Sequence, residues 1–189
     1  MDRRQALKLL TLFAGGSIAL PAYAERLLHY PDTCWALSPP GIAPEQTELL
    51  AALADTILPR TDTPGASDAG VQHILPILAN DCLDAASRDI FWAGLEALDA
   101  TSRSRFQTGF AQLSPERRTL LLSEAEQAYK TQRSQPNAGP HFFKIAKDLT
   151  LTGYFTSETG ATQALRYLPI PGKWEADLPY TAGEKAWAL

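Results

Sequence analysis

Histidine is the side chain that most often transfers protons near neutral pH, and this chain has three: His29, His73 and His141. They stand in unrelated sequence contexts. His73 follows Asp68 by five residues, just outside the three- or four-residue spacing at which side chains meet on a helix. An Asp–His pair there would require an irregular helix start. The sequence therefore favours surface or internally bonded histidines over a catalytic pair.

Acidic side chains form two close pairs, Glu96 with Asp99 and Glu124 with Glu126. Paired carboxylates can act as general acid and general base, but the same spacing is typical of the solvated face of a helix, which is the interpretation we favour. The chain contains no G-x-G-x-x-G or Walker sequence and no haem attachment motif. The residues predict no catalytic, cofactor-binding or metal-binding site in this chain.

The two cysteines, Cys34 and Cys82, are enough for one disulfide bond, which would suit an oxidising compartment such as the periplasm. Cys82 also falls within an apolar helical pattern, so a buried free thiol is the alternative. The spacing of the two residues leaves both possibilities open.

Composition limits the class of protein. The chain has 189 residues, 45% of them hydrophobic and 20% charged, which suits one globular domain with tails rather than a disordered chain. A net charge of −4 without a basic, aromatic stripe argues against nucleic-acid binding. No stretch is long and apolar enough to span a bilayer as a helix of the mature protein.

Residues 1–24 have the organisation of an export signal: a charged start, an apolar stretch from Leu9 to Leu20, and a small-x-small cleavage pattern that ends at Ala24. The adjacent Arg3 and Arg4 and the weak hydrophobicity of the apolar stretch predict the twin-arginine route to the periplasm. An ordinary secretory signal is the alternative.

Apolar residues at helical spacing predict an all-α fold, a single irregular helical domain of about five to six helices over residues 44–165. An irregular arm, residues 25–43, precedes this domain, and an extended, proline-rich tail, residues 166–189, follows it. The helices are expected near residues 44–58, 68–82 with a kink at Pro76, 87–98, 103–113, 115–133 and 140–154.

The stretch Gly153–Glu175 holds several large side chains on backbone that cannot be helical throughout. Pro169 and Pro171 lack an N–H and push the preceding residues toward extended geometry. Aromatic side chains on extended backbone require a cover, either from their own core or from another protein. The predicted partner interface consists of Tyr154, Phe155, Arg166, Tyr167, Leu168, Ile170 and Trp174.

Two stretches, Leu53–Val71 and Gly153–Glu175, closely resemble the small subunit of gluconate 2-dehydrogenase, the "subunit 3" family. The resemblance covers residues from about Pro44 to Glu175, and over about Asp84 to Asn137 it consists only of the helical pattern. In the first stretch, the loop Asp62–Gly65 is expected to be a stiff connection between helices, with Asp62 bonding backbone. Contact with a partner near its substrate entrance is the alternative.

The resemblance implies a heteromeric periplasmic dehydrogenase. Its large subunit would be an FAD flavoprotein of the glucose–methanol–choline (GMC) type, often accompanied by a cytochrome c subunit with haem c. This chain would be a non-catalytic partner that carries the folded flavoprotein through the twin-arginine translocase and assists its maturation and stability. Any membrane association would come through those partners, and the substrate would be a sugar or sugar acid bound by the flavoprotein.

Two other functions remain open at this stage. The chain could contribute residues such as Asp62 or His73 to the active site of the dehydrogenase. It could also be an independent periplasmic helical binding protein.

Overall fold

The structure, a computed structural model, describes residues 42–136, 138–170, 172, 177, 179 and 181–188. In these residues the fold is all-α, as predicted, and contains no strand beyond one isolated bridge. The predicted arm, residues 25–43, lies almost wholly outside them. The α-helices of these described residues are α1 Pro44–Ile57, α2 Val71–Ile77, α3 Ala85–Phe106, α4 Pro115–Arg133 and α5 Phe142–Phe155.

Helix α1 begins where the sequence predicts. Pro44 occupies the first turn, where its missing N–H costs no hydrogen bond, and Glu45 lies near the positive end of the helix dipole. The helix buries Leu50 and Leu53 and ends before Pro59, which cannot continue it.

Helix α2 starts three residues later than the predicted beginning near residue 68. Its N-cap is Gly70, with φ of 72°, because Asp68 is engaged in the preceding loop. Pro76 lies inside the helix, and from Leu78 to Cys82 the chain continues as a π-helical turn. The expected disturbance at Pro76 therefore takes the form of a change in helix type rather than a break.

Helix α3 is longer than predicted and replaces two expected helices, 87–98 and 103–113. Asp84 caps it by accepting the Ser87 N–H at 2.9 Å, and it continues to Phe106 because no proline interrupts it. Gln107, in the left-handed conformation, ends it. Phe110–Gln112 forms a separate 3₁₀ turn.

Helix α5 is the central element, as its several apolar sides predict, and it contacts the four other α-helices. Its buried residues join those of the other helices in one core, in which each large side chain stabilises the fold by about 1.5–3 kcal/mol. The largest fully buried side chains are Tyr154, Phe91, Phe110, Leu50, Leu53, Leu75 and Leu95.

Candidate functional site

The two stretches that carry the family resemblance meet in space. The Tyr154 hydroxyl at the end of α5 donates a hydrogen bond of 2.7 Å to the carbonyl oxygen of Pro64, ninety residues earlier. Gly153, beside it, lies so close to Ile74 of α2 that an added Cβ would come within 3.0 Å of that side chain. The motifs therefore build one structural unit, in which α5 holds α2 and the loop before it.

The loop between α1 and α2, residues 58–70, is bonded by two carboxylates. Asp55 accepts the Ser67 N–H at 2.8 Å, and Asp68 accepts the Gly65 N–H at 2.8 Å. Asp68 also pairs with Arg60, and this ion pair, followed by the Gly65 N–H, holds the pKa of Asp68 below its usual value. The stiff connection expected here is present.

The residues that bond this loop differ from the predicted one. The expectation that Asp62 bonds the backbone is wrong, because the carboxylates of Asp55 and Asp68 make those bonds and Asp62 is exposed. Asp62 lies in the middle of the loop sequence, whereas Asp55 and Asp68, which bond the loop backbone, lie near its two ends.

Tyr154 belongs to the core rather than to the exposed surface. Only 1% of it is accessible to solvent. The chain after it turns sharply: the Ser157 hydroxyl donates to the Tyr154 carbonyl oxygen at 2.6 Å and accepts the Gly160 N–H at 3.0 Å. Tyr154, predicted to lie at the partner interface, is thus covered by the chain itself, and its hydroxyl holds the loop.

Beyond this turn the chain becomes exposed. A π-helical turn, Gly160–Ala164, leads to Arg166, and Tyr167 and Leu168 follow with 54% and 47% of their surface exposed. Ile170 is 81% exposed, and Phe155 at the end of α5 is also exposed. Trp174 lies outside the described residues.

Arg166 is held by the C-terminal residues of the chain. Its N–H donates to the Ala186 carbonyl oxygen at 2.8 Å, and its carbonyl oxygen accepts the Ala188 N–H at 2.9 Å. These bonds form a parallel bridge between Arg166 and Trp187. The Arg166 guanidinium also pairs with Glu184 and lies 4.6 Å from the centre of the Trp187 ring.

Trp187 is the exposed aromatic residue that the sequence interpretation did not include. It is 45% exposed and joins the predicted residues in what we call the C-terminal surface. Its aromatic type near the chain end was a usable signal, but its pairing with Arg166 is long-range and has no periodicity that would reveal it. The C-terminal surface consists of Arg166, Tyr167, Leu168, Ile170 and Trp187.

Three of the four acidic residues considered for catalysis are engaged in structural pairs, and the fourth, Glu96, is exposed on α3. Glu124 pairs with Arg105 and Glu126 with Lys130. Asp99 accepts from Arg103 and from the Phe110 N–H; burial opposes its charge, but these two bonds outweigh burial and lower its pKa. These bonds connect helices and turns.

The histidines in the described part of the chain show no catalytic pair. His73 is half-buried, and Asp68, its nearest candidate partner in sequence, is already paired with Arg60. His141 caps α5, because its Nδ1 accepts the Phe143 N–H at 3.1 Å, and burial lowers its pKa. Within the described residues, no cluster of three or more His, Cys, Asp or Glu could hold a metal ion.

A groove of about 620 Å³ lies between α1 and α3, lined by Glu45, Glu48, Trp92, Glu96 and Asp99 among others. Asp99 in this groove is bonded to Arg103. The Trp92 indole N–H donates to Asn80 at 3.1 Å and also serves a structural role. We assign the groove no ligand.

Cys82 is exposed at the end of the π-helical turn after α2, so the alternative of a buried thiol is wrong. The predicted pairing with Cys34 stays a prediction, since Cys34 lies outside the described residues, as do Arg3 and Arg4 of the predicted export signal. None of the described helices is both long and apolar enough to cross a membrane.

The comparison with family models agrees with the positions of the two motifs. The model of gluconate 2-dehydrogenase subunit 3 matches residues 44–172, more than half of the chain. No curated protein and no solved structure matches the chain. The matched range runs from the first residue of α1 to Gly172, six residues after Arg166. The chain therefore belongs to the gluconate 2-dehydrogenase subunit 3 family.

Proposed function

We propose that this chain is the non-catalytic small subunit of a periplasmic, FAD-dependent sugar or sugar-acid dehydrogenase. It binds a GMC-type flavoprotein, accompanies it through the twin-arginine translocase, and stabilises it afterwards. FAD, and haem c where a cytochrome c subunit is present, belong to the partners. The family assignment supports the association with other dehydrogenase subunits.

The observation that carries the proposal is the C-terminal surface. It exposes Tyr167, Leu168 and Ile170 within four residues of a non-helical segment, and the ring of Trp187 lies against Arg166 beside them. Exposed apolar patches of this kind mark protein–protein contact sites, and aromatic and Arg residues typically contribute most of the binding energy there. The residues just before this surface pack into the core that the two motifs build. The surface therefore begins where that packing ends.

The distribution of roles within Gly153–Glu175 also supports this function. Tyr154, Ser157 and Gly160 act inside the subunit, whereas Tyr167, Leu168 and Ile170 face solvent. One continuous stretch thus has an internal half and an external half. An obligate subunit interface, which typically buries more than roughly 2,000 Å², would draw on the external half together with Phe155.

A charge placed at Leu168 tests the interface. We expect Leu168→Asp to weaken binding to the flavoprotein at least about tenfold, because an apolar contact would become a buried, unpaired carboxylate. Binding is measured by co-purification of the co-expressed subunits at increasing dilution.

Leu120→Asp is the matched control, because Leu120 on α4 is 45% exposed and Leu168 is 47% exposed. The helix content of both variants is measured by circular dichroism. Equal co-purification of the two variants, each with unchanged helix content, would rule out the C-terminal surface as the interface.

A further inference from the structure

The last described residues of the chain, Glu184–Ala188, contact one short stretch, Gln163–Arg166, through several different interactions. Two are the backbone hydrogen bonds of the Arg166–Trp187 bridge, at 2.8 and 2.9 Å. The others are the Arg166–Glu184 ion pair, the stacking of Arg166 on Trp187, and a hydrogen bond from Lys185 to the Gln163 carbonyl oxygen. We call Glu184–Ala188 the latch.

The contacts of the latch are individually weak. The side chains of Arg166 and Glu184 are each 35% exposed, and Trp187 is nearly half exposed. Exposed ion pairs contribute little and are screened by salt, and an isolated, exposed bridge of two hydrogen bonds opens readily. The latch is therefore expected to open and close reversibly, more readily at high ionic strength.

The position of the latch determines what it controls. Arg166 directly precedes Tyr167 and Leu168, and Pro169 directly follows them. Proline restricts Leu168 to extended backbone from one side, and the bridge fixes Arg166 on the other. With the latch closed, the two exposed side chains lie between two fixed points.

We infer that the latch is a salt-sensitive conformational device that holds Tyr167 and Leu168 in a defined extended arrangement on the free subunit. Its consequence for partner binding rests on the proposed function: ordering the segment in advance removes part of the entropy cost of association. The latch itself requires no partner.

Amide hydrogen exchange of the full chain, resolved to single residues, tests the latch. The Arg166 and Ala188 amides are expected to be protected, and deletion of residues 184–189 should bring Arg166 to the rate of an unstructured peptide. Glu184→Gln should accelerate exchange at Arg166 roughly twofold to fivefold, the range expected for an exposed ion pair. Raising the salt concentration should have the same effect on the wild-type chain but little effect on Glu184→Gln.

Glu124→Gln is the matched control. Glu124 lies on α4 and forms an exposed ion pair with Arg105, so the variant removes the same charge from a different ion pair. It should leave exchange at Arg166 unchanged. Equal exchange at Arg166 in the wild-type and truncated chains would overturn the latch.

Binding to the co-expressed flavoprotein separates the latch from the proposed function. Glu184→Gln keeps Tyr167, Leu168, Ile170 and Trp187 in place, and we expect roughly twofold to fivefold weaker binding from lost ordering alone. Unchanged binding with faster exchange would overturn the ordering role and leave the interface intact. A Leu168→Asp variant that binds normally would instead contradict the proposed function, whatever the exchange rates show.

Discussion

Single polar side chains decide how this subunit is held together. Tyr154 joins the end of α5 to the loop after α1, and Asp55 and Asp68 bond the backbone of that loop. Each of these groups satisfies a backbone donor or acceptor that would otherwise lack a partner in a region with little regular structure. The family motifs at these positions therefore have a structural explanation in addition to the proposed interface.

Removing the Tyr154 hydroxyl tests this role. Tyr154→Phe should lower the free energy of unfolding by about 1–3 kcal/mol, because the Pro64 carbonyl oxygen would lose its donor in a partly buried place. The value is measured by urea denaturation. Tyr167→Phe removes an exposed hydroxyl and should change stability by less than about 0.5 kcal/mol. Equal effects of the two substitutions would contradict the structural role of Tyr154.

His141 makes stability depend on pH. Its pKa is lowered by burial below the ordinary value of 6.5, so the folded state favours the neutral ring. Its stabilising contribution is therefore complete above about pH 6.5 and is lost as the pH falls through the lowered pKa of the folded state. A ring protonated at Nδ1 also cannot accept the Phe143 N–H.

The variant His141→Asn keeps a side-chain acceptor for the cap but does not titrate. The free energy of unfolding is measured from pH 7.5 to pH 5. We expect the difference between wild type and variant to shift in favour of the variant as the pH falls. Parallel curves would show that His141 is not responsible.

At the scale of elements, the close approach of the backbone at Gly160 to the end of α5 determines the turn that leads to the C-terminal surface. The Gly160 N–H is bonded by Ser157, and a Cβ on Gly160 would lie 1.9 Å from the Tyr154 carbonyl oxygen. Only glycine leaves room for the backbone of α5 to pass so near. The direction in which the chain leaves α5 therefore depends on this one position.

Gly160→Ala should destabilise the chain by about 1–3 kcal/mol or more, since a backbone atom cannot move aside as a flexible side chain can. Thermal unfolding measures the loss. Gly139→Ala is the control, because nothing lies within 4 Å of the position that its Cβ would occupy. A Gly160→Ala chain as stable as this control would refute the close approach.

The sequence predicted elements better than the contacts between them. Periodic apolar residues and proline positions located α1, α4 and α5 within one or two residues. The helix predicted at 87–98 was too short, because the last residues of α3 are polar and show no apolar periodicity. The ion pair of Asp99 with Arg103 lies in this polar part of the helix. The burial of Tyr154 and the contact of Trp187 with Arg166 depend on residues far apart in sequence, which local patterns cannot reveal.

At the scale of the whole molecule, the proposed function places recognition at the two ends of the chain. The export signal, residues 1–24, would be read by the translocase, and the C-terminal surface by the flavoprotein. The helical unit between them would join the two activities. Because the twin-arginine route accepts folded proteins, binding and export would act on the same assembled complex.

Replacing both signal arginines tests this arrangement. In the double variant Arg3→Lys and Arg4→Lys, we expect this subunit and the flavoprotein to remain together in the cytoplasm, with at least about a tenfold loss of periplasmic enzyme in cell fractions. Lys8→Arg keeps the charge of the signal and should export normally. A flavoprotein that still reaches the periplasm with the double variant would refute the escort role.

The hydrogen bond from Tyr154 to Pro64 has a consequence for biosynthesis. A ribosome adds Pro64, in the loop after α1, ninety residues before it adds the tyrosine that bonds to it. The nascent chain therefore cannot close its core around this loop until α5 has been translated. A prematurely terminated chain would lack this closure, and proteases could remove it before it occupied a flavoprotein or a translocation site.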